Sequence, residues 1–469
     1  MGKFPLGVAN GSLKGEDLNE NGTCKSKHQL GDIWREIQGA NNWKGMLNPI
    51  HPLLKAEILR YGDFAQQCYD AFDNTRSSKY YRNCKRTKSS LGKRLELVKC
   101  GRDYQVTEYI YANTGTLNSY FQEKARDSGA WMGFIAVSTD PDEIKRLGRR
   151  DIVVAWRGTE TPQEWIQNLR DILVPATLSI TGESNTQDTF KPDVRIEKGF
   201  LKYYTSVNKG SRLSAREIVV NEIRRLLNNF KDEDVSITFT GHSLGAALAT
   251  ISAYDIKKMV MNENYMRSIP VTVFAFASPR VGNLSFSQHV EEIGVKVLRL
   301  VNRKDLIPKV PGVFVNEKMG WLTRILYWLP WAYVHVGIEI NLDSSNSTVL
   351  KQTYNPVGFH NLEVYLHLVN GLQENSELPF TSSGRDPALV NKNSDLLVTK
   401  LQIPSYWWTR RNKEVAKRID GMLVYSPRPA TSVPLPQSST PVISNLVSLL
   451  QVVLVLSVVI ILFQIGRTI

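Results

Sequence analysis

The sequence predicts an α/β fold, a mostly parallel sheet with helices on both faces, and three observations carry that prediction. Short β-branched or apolar runs recur at 131–138, 151–156, 235–240, 271–277 and 295–302. Helical periodicity fills 215–230 and 244–260 between them. The runs are continuous rather than strictly alternating, as strands buried on both faces are.

Length and composition bound the rest. The chain has 469 residues, 42% of them hydrophobic and 22% charged, enough for one large α/β domain or two smaller ones with a packed core. Lys and Arg number 58 against 45 Asp and Glu, a net charge of +13. That balance favours anionic partners. No basic helix with base-reading spacing, zinc-finger pattern or RNP-like run is present, so nucleic acid is not expected. The charge is assigned instead to an anionic membrane surface. The cysteines, Cys24, Cys68, Cys84 and Cys100, form no CxxC pair and lie near no His at metal-ligand spacing. Free thiols in a reducing compartment are expected, with no metal and no cofactor. The N-terminus has no apolar h-region, so no secretory signal is expected, and Leu6 stands where a myristoylation signal needs Ser or Thr.

Taken in order, residues 1–30 are polar and read as disordered. Leu53, Leu54, Ile58, Leu59 and Tyr61, continuing to Phe64, Cys68 and Phe72, recur at helical spacing. Arg76 to Arg102 hold ten basic residues against Glu96, a solvated surface or a patch that faces lipid. Strands and helices alternate from about residue 104, with 178–192 as a polar loop. Five prolines among Ser and Thr make 426–441 an extended linker, so the catalytic domain is assigned to 31–425. Residues 442–469 read as a hydrophobic tail. Leu446 to Ile465 carry no charge, and twenty helical residues at ~1.5 Å rise span roughly 30 Å, the thickness of a bilayer core. The expectation is a C-terminal transmembrane helix acting as a tail anchor on the cytosolic face of a membrane. The alternative is a buried core helix.

The chemistry centres on Gly241-His242-Ser243-Leu244-Gly245. A strand at 235–240 precedes this run and a helix with small residues in its first turn follows it. Gly241 and Gly245 let the chain turn sharply and pack closely, which exposes a serine at the C-terminal edge of the sheet. Ser243 is the expected nucleophile. The Leu244 N–H, at the positive end of the helix dipole, is an expected oxyanion donor. Serine needs a positioned base, and the base an orienting carboxylate. Asp305 emerges just past the strand at 295–302 and is the expected acid. Of seven histidines, His360 opens a helix after a loop holding Pro356 and Gly358 and is the preferred base. His335, within an apolar run, is the second choice, and His367 is assigned to the helix surface or packing. The chain order Ser, Asp, His is that of the α/β-hydrolases. Thr159, after the strand at 151–156, is the expected second oxyanion donor. The following amphipathic segment, with Glu164, Trp165 and Ile166, is a candidate lid. Trp321, Tyr327, Trp328, Trp331 and Tyr333, and likewise Tyr406-Trp407-Trp408, line an acyl pocket, form an interfacial rim or belong to the core.

These residues match a known family. The chain resembles the class 3 lipases, and among them the plant class II phospholipases A1. The marks are Trp34-Arg35-Glu36-Ile37-Gln38-Gly39 with Trp43, Val154-Ala155-Trp156-Arg157-Gly158-Thr159, the elbow, Asn302-Arg303-Lys304-Asp305, Tyr333-Val334-His335-Val336-Gly337, and His360-Asn361-Leu362-Glu363 with Tyr365-Leu366-His367. The resemblance implies metal-free release of the sn-1 acyl chain of glycerophospholipids, a triad of Ser243, Asp305 and His360, an oxyanion loop at Thr159, and a cytosolic protein without a plastid transit peptide. A galactolipase, acylglycerol lipase or carboxylesterase of the same fold is the nearest alternative. A membrane-tethered scaffold that no longer catalyses is the more distant one.

Overall fold

The computed structural model describes residues 29–75, 77–97, 104–113, 129–159, 173–176, 193–208, 212–262, 268–311, 332–353, 355, 358–372, 385–407, 416–417 and 423–424. The expected disordered N-terminus (save its last two residues), the polar loop at 178–192, the lid residues Glu164, Trp165 and Ile166, the linker and the hydrophobic tail lie outside these residues. So do Trp321, Tyr327, Trp328, Trp331 and Trp408. The expected transmembrane helix therefore gains no support. Among the described residues, no helix is long and apolar enough to cross a membrane.

Seven strands form the central sheet: β1 (Tyr104–Ala112), β2 (Ala130–Ser138), β3 (Arg150–Trp156), β6 (Val235–His242), β7 (Val271–Phe276), β8 (Lys296–Asn302) and β9 (Ile338–Leu342). Their spatial order is β1-β2-β3-β6-β7-β8-β9. β4 (Leu173–Pro175) and β5 (Arg195–Glu197) form a separate small ribbon. β1 and β2 are antiparallel to their neighbours, and β3 through β9 within the sheet run parallel. The five predicted runs all appear as strands within one or two residues of their expected ends.

The helices are α1 (Trp34–Ile37), α2 (Pro52–Ala71), α3 (Lys88–Leu97), α4 (Pro141–Leu147), α5 (Lys198–Thr205), α6 (Ala215–Asn229), α7 (Leu244–Asn262), α8 (Leu284–Glu292) and α9 (Leu362–Asn370). Local sequence sets several of their starts. His51 caps α2 and Pro52 occupies its first turn, where a missing N–H costs nothing. Ser214 and Glu217 form a reciprocal capping box on α6. Asn361 caps α9, so the helix begins two residues after His360.

Strand alternation divides the core in two. Val235, Ile237 and Phe239 of β6 face the apolar layer made with α5, α6, α7 and α8. The opposite face packs against α2 and α9, with Tyr61, Phe64, Leu366 and Val369 among the buried residues. On that second face β6 presents Ser236, Thr238 and Thr240. Burial of three hydroxyls demands partners. Thr240 donates to the Tyr61 carbonyl at 2.9 Å, and the other two join a polar network at the N-terminal ends of the strands.

Asp151 is the centre of that network. Its carboxylate accepts from Tyr104 at 2.7 Å, Ser236 at 3.0 Å, Tyr61 and Arg60 at 3.1 Å each, and Thr238 at 3.2 Å. Arg60 also grips Glu57 through two bonds of 2.9 and 2.6 Å. Arg149 donates to Ser236 at 2.7 Å and to the Tyr61 hydroxyl at 3.1 Å. Two cations thus face two anions in a closed cluster that ties α2 to β1, β3 and β6.

Candidate active site

The site forms at the other end of the same strands. β6 ends in Gly241-His242, and α7 begins at Leu244, so Ser243 is the corner between them. Its φ of +60° lies in the left-handed region, a strained place for serine. The turn holds because its neighbours are glycines. A Cβ on Gly241 would strike the backbone of Gly245, and one on Gly245 would lie 2.5 Å from the Trp156 carbonyl. The Ser243 N–H donates to the Phe276 carbonyl of β7 at 2.9 Å, which fixes the corner to the sheet.

Asp305 follows β8 and is fully buried. Its Oδ1 accepts from the Ile307 N–H at 2.8 Å. Its Oδ2 pairs with His360 Nδ1 at 2.6 Å and accepts from the Tyr365 hydroxyl at 2.6 Å. Burial, and next the adjoining carboxylate, push the Tyr365 phenol well above its ordinary pKa, so it stays a donor. With Nδ1–H directed at the carboxylate, the neutral His360 ring keeps its lone pair on Nε2. That atom is buried and makes no hydrogen bond among the described residues. The Ser243 Oγ and the Thr159 Oγ1 are buried without a partner in the same way.

The expected oxyanion loop lies directly against the serine. A Cβ on Gly158 would come within 3.2 Å of the Ser243 Cβ and 2.5 Å of the His242 carbonyl. Arg157 sets the loop's orientation, because its guanidinium donates to the Gly158 carbonyl at 2.8 Å. In a planar trans peptide the N–H points opposite to the C=O, so the Thr159 N–H is turned away from Arg157. The guanidinium is itself held by the Trp131 carbonyl at 3.2 Å and stacks 3.7 Å above the Phe72 ring. On the helix side, the first N–H groups of α7 have no acceptor one turn back, which leaves Leu244 in place for a developing negative charge.

The family model described as lipase (class 3) matches residues 153–315. Phospholipase A1-Igamma2, chloroplastic, of Arabidopsis thaliana is 43% identical over 418 residues, covering 86% of this chain and 78% of that one. The chain belongs to the class 3 lipases. Phospholipase A1-Igamma3, chloroplastic, of the same plant is 45% identical, covering 85% and 78%. Galactolipase DONGLE, chloroplastic, also from that plant, is 42% identical, covering 79% and 76%. The expected resemblance to plant phospholipases A1 is borne out, and this class 3 lipase is an acylhydrolase of α/β-hydrolase fold.

The expected location is not. A cytosolic protein held on a membrane by a tail anchor is overturned by these relatives, which are named chloroplastic. A net positive charge and an apolar stretch of sequence do not by themselves specify a compartment.

In this class 3 lipase the structure brings Ser243, Asp305 and His360 to one sheet edge, with Thr159 and Leu244 beside them. His335 is half-buried, and desolvation followed by nearby Arg299 and Arg280 drives its pKa far down. It has no bond to Asp305. His367 points inward, paired with Ser347 Oγ at 2.9 Å, rather than to the surface. Tyr333 and Trp407 are buried in the lipase core, while Tyr406 is exposed. Cys68 and Cys84 are buried free thiols.

Three residues with work at the site carry no local signal of it. Tyr365 and Arg157 sit in family motifs without a role readable from spacing. Tyr69 sits on a helix far away in sequence. His242 is the fourth surprise. Its Nε2 lies 2.7 Å from the His360 carbonyl, which can only accept, so Nε2 carries the proton. Burial, and then the neighbouring His360, hold the His242 pKa far below its usual value, so Nδ1 is bare. It accepts from the Tyr69 hydroxyl at 2.8 Å. A chain Tyr69–His242–His360 thus braces the loop that bears His360.

Proposed function

We propose that this chain is a phospholipase A1 that releases the sn-1 fatty acid of a glycerophospholipid, with Ser243 as nucleophile, His360 as base and Asp305 as its orienting carboxylate. The observation that carries the reading is the 2.6 Å pair of His360 and Asp305 beside a buried Ser243 Oγ in a strained elbow. The Ser243 oxygen attacks the ester carbonyl as its proton passes to His360 Nε2. The oxyanion is stabilised by the Leu244 and Thr159 N–H groups and the Thr159 hydroxyl. His360 then protonates the departing lysophospholipid oxygen. Water, deprotonated by the same nitrogen, releases the acid. Serine and histidine are not hydrogen bonded before substrate enters, as is common in unliganded enzymes.

The sn-1 preference is supported by the names of the two phospholipase relatives, and a galactolipid head group is supported as a second reading by the name of the third. Their chloroplastic names favour a plastid membrane lipid as substrate. The test uses phospholipids and galactolipids with a different acyl chain at each position. Release of the sn-1 acid by the wild type, and none by Ser243→Ala, is expected. Unchanged release by the variant would overturn the nucleophile, and release of the sn-2 acid the positional preference.

A further inference from the structure

We propose that the loop following α2, residues 73–86, is the surface with which the enzyme docks on an anionic lipid bilayer. The proposal rests on the phospholipid reading of the site and adds where the membrane meets the protein. Ser243 is fully buried, so an acyl chain must pass from the bilayer over the rim that surrounds it. Two independent lines place the loop at that rim. Through α2, Tyr69 reaches His242, and Phe72, three residues on, lies under the Arg157 guanidinium that holds Gly158. Through β2, the Trp131 N–H donates to the Arg82 carbonyl at 2.9 Å, and the Trp131 carbonyl accepts from Arg157.

The loop is built to keep a shape. Its two arms pair through Asp73 N–H to the Asn83 carbonyl at 3.0 Å, Arg82 N–H to the Asp73 carbonyl at 2.8 Å, and Lys85 N–H to the Ala71 carbonyl at 3.0 Å. Its charge has one sign. Between Asp73 and Thr87 stand five Lys or Arg residues and no Asp or Glu. The one carboxylate of the loop, Asp73, is engaged by its own turn, accepting from the Thr75 N–H and Ser78 Oγ at 2.8 and 2.7 Å. At the tip Tyr80 is 42% exposed, with the Lys79 ammonium 4.9 Å from its ring centre. A tyrosine flanked by cations suits the headgroup level of a membrane, where the ring sits among carbonyls and the cations meet phosphate.

The test compares the full chain with a Lys79→Gln, Tyr80→Ser, Arg86→Gln triple variant. Binding is measured by co-sedimentation with phosphatidylcholine vesicles containing phosphatidylglycerol, and turnover on a water-soluble short-chain ester. Binding is expected to fall about 30-fold or more, from the attraction an anionic leaflet exerts on each of two cations. Turnover of the soluble ester is expected to stay unchanged. A Lys79→Arg, Arg86→Lys variant is expected to bind like the wild type. Wild-type binding by the triple variant, or lost binding by the charge-conserving one, overturns the docking surface. A wild type that leaves the soluble ester intact overturns the acylhydrolase reading itself, whatever the vesicles show.

Discussion

The two ends of the parallel strands treat buried polar atoms in opposite ways. At the N-terminal ends, Asp151 accepts five hydrogen bonds and the cations around it are matched by Glu57. At the C-terminal ends, Ser243 Oγ, His360 Nε2 and Thr159 Oγ1 are as deeply buried and have no partner among the described residues. A buried polar group left unpaired costs about 1–3 kcal/mol. In the proposed reaction a substrate ester supplies the partners missing at the C-terminal end. One end is saturated with partners, and the other holds the groups proposed to react.

The largest expected effect follows from that contrast. Ser243→Ala should lower kcat on a phospholipid by about 10⁶-fold, the scale of losing a triad nucleophile. Its thermal unfolding midpoint should stay unchanged or rise, since the variant deletes an unpaired buried hydroxyl and no native bond. A variant that loses stability instead would show that this serine is a structural group. Asp305→Asn should come next, with kcat down about 10⁴-fold because the amide favours the wrong histidine tautomer. Turnover similar to wild type would mean that Tyr365 and the His360 loop alone orient the ring.

At the opposite end the order of effects should invert. Asp151→Asn should cost about 3–5 kcal/mol of folding stability by leaving Arg60 and Arg149 short of charge, read from denaturant unfolding. Its kcat per folded molecule should stay within about twofold of wild type, since a change far from the chemistry removes no transition-state contact. The pH dependence gives a second reading. Burial alone would raise the Asp151 pKa, but Arg149 and Arg60 outweigh it and hold the carboxylate below its ordinary range. A depressed folded-state pKa stabilises fully above the unfolded value and is lost as pH falls through the folded one. Wild type should therefore lose stability more steeply than Asp151→Asn below about pH 4. Parallel acid-unfolding curves would remove Asp151 as the source.

How much of this could be read from the sequence depends on how local each signal was. The strands at 131–138 and 271–277 announce themselves because both of their faces are buried, and the elbow because only glycine fits at 241 and 245. Asp305 was legible as a carboxylate just past a strand end. His360 was separable from His335 only by its loop–helix setting, and the 2.6 Å bond to Asp305 now distinguishes them. Long-range partners were hidden. Tyr69 is 173 positions from His242, and nothing in its helix pattern tells a tyrosine that donates to an imidazole from one that packs. Asp151 begins a strand and looks like an exposed end residue. Its burial follows only once α2 is laid across β3 and β6. The tail illustrates the opposite error, in which an apolar run was given a compartment by its composition.

The smallest expected effect probes where the two regimes meet. Tyr69 lies on the same helix as Arg60 and Tyr61, so α2 serves the saturated network early in its length and the reactive site at its end. If the hydroxyl of Tyr69 braces His360 through His242, Tyr69→Phe leaves His242 Nδ1 without a donor. The imidazole can then tilt, and the His360 carbonyl it holds moves with it. A loss of about tenfold in kcat is expected, the ~1.4 kcal/mol of one modest hydrogen bond, with KM changed less than about twofold. The unfolding midpoint should move little, because the hydroxyl is only partly buried. A purely structural role would reverse these readings, with lower stability and an intact kcat. That outcome would place the whole of α2 with the Asp151 network and leave His360 positioned by Asp305 alone.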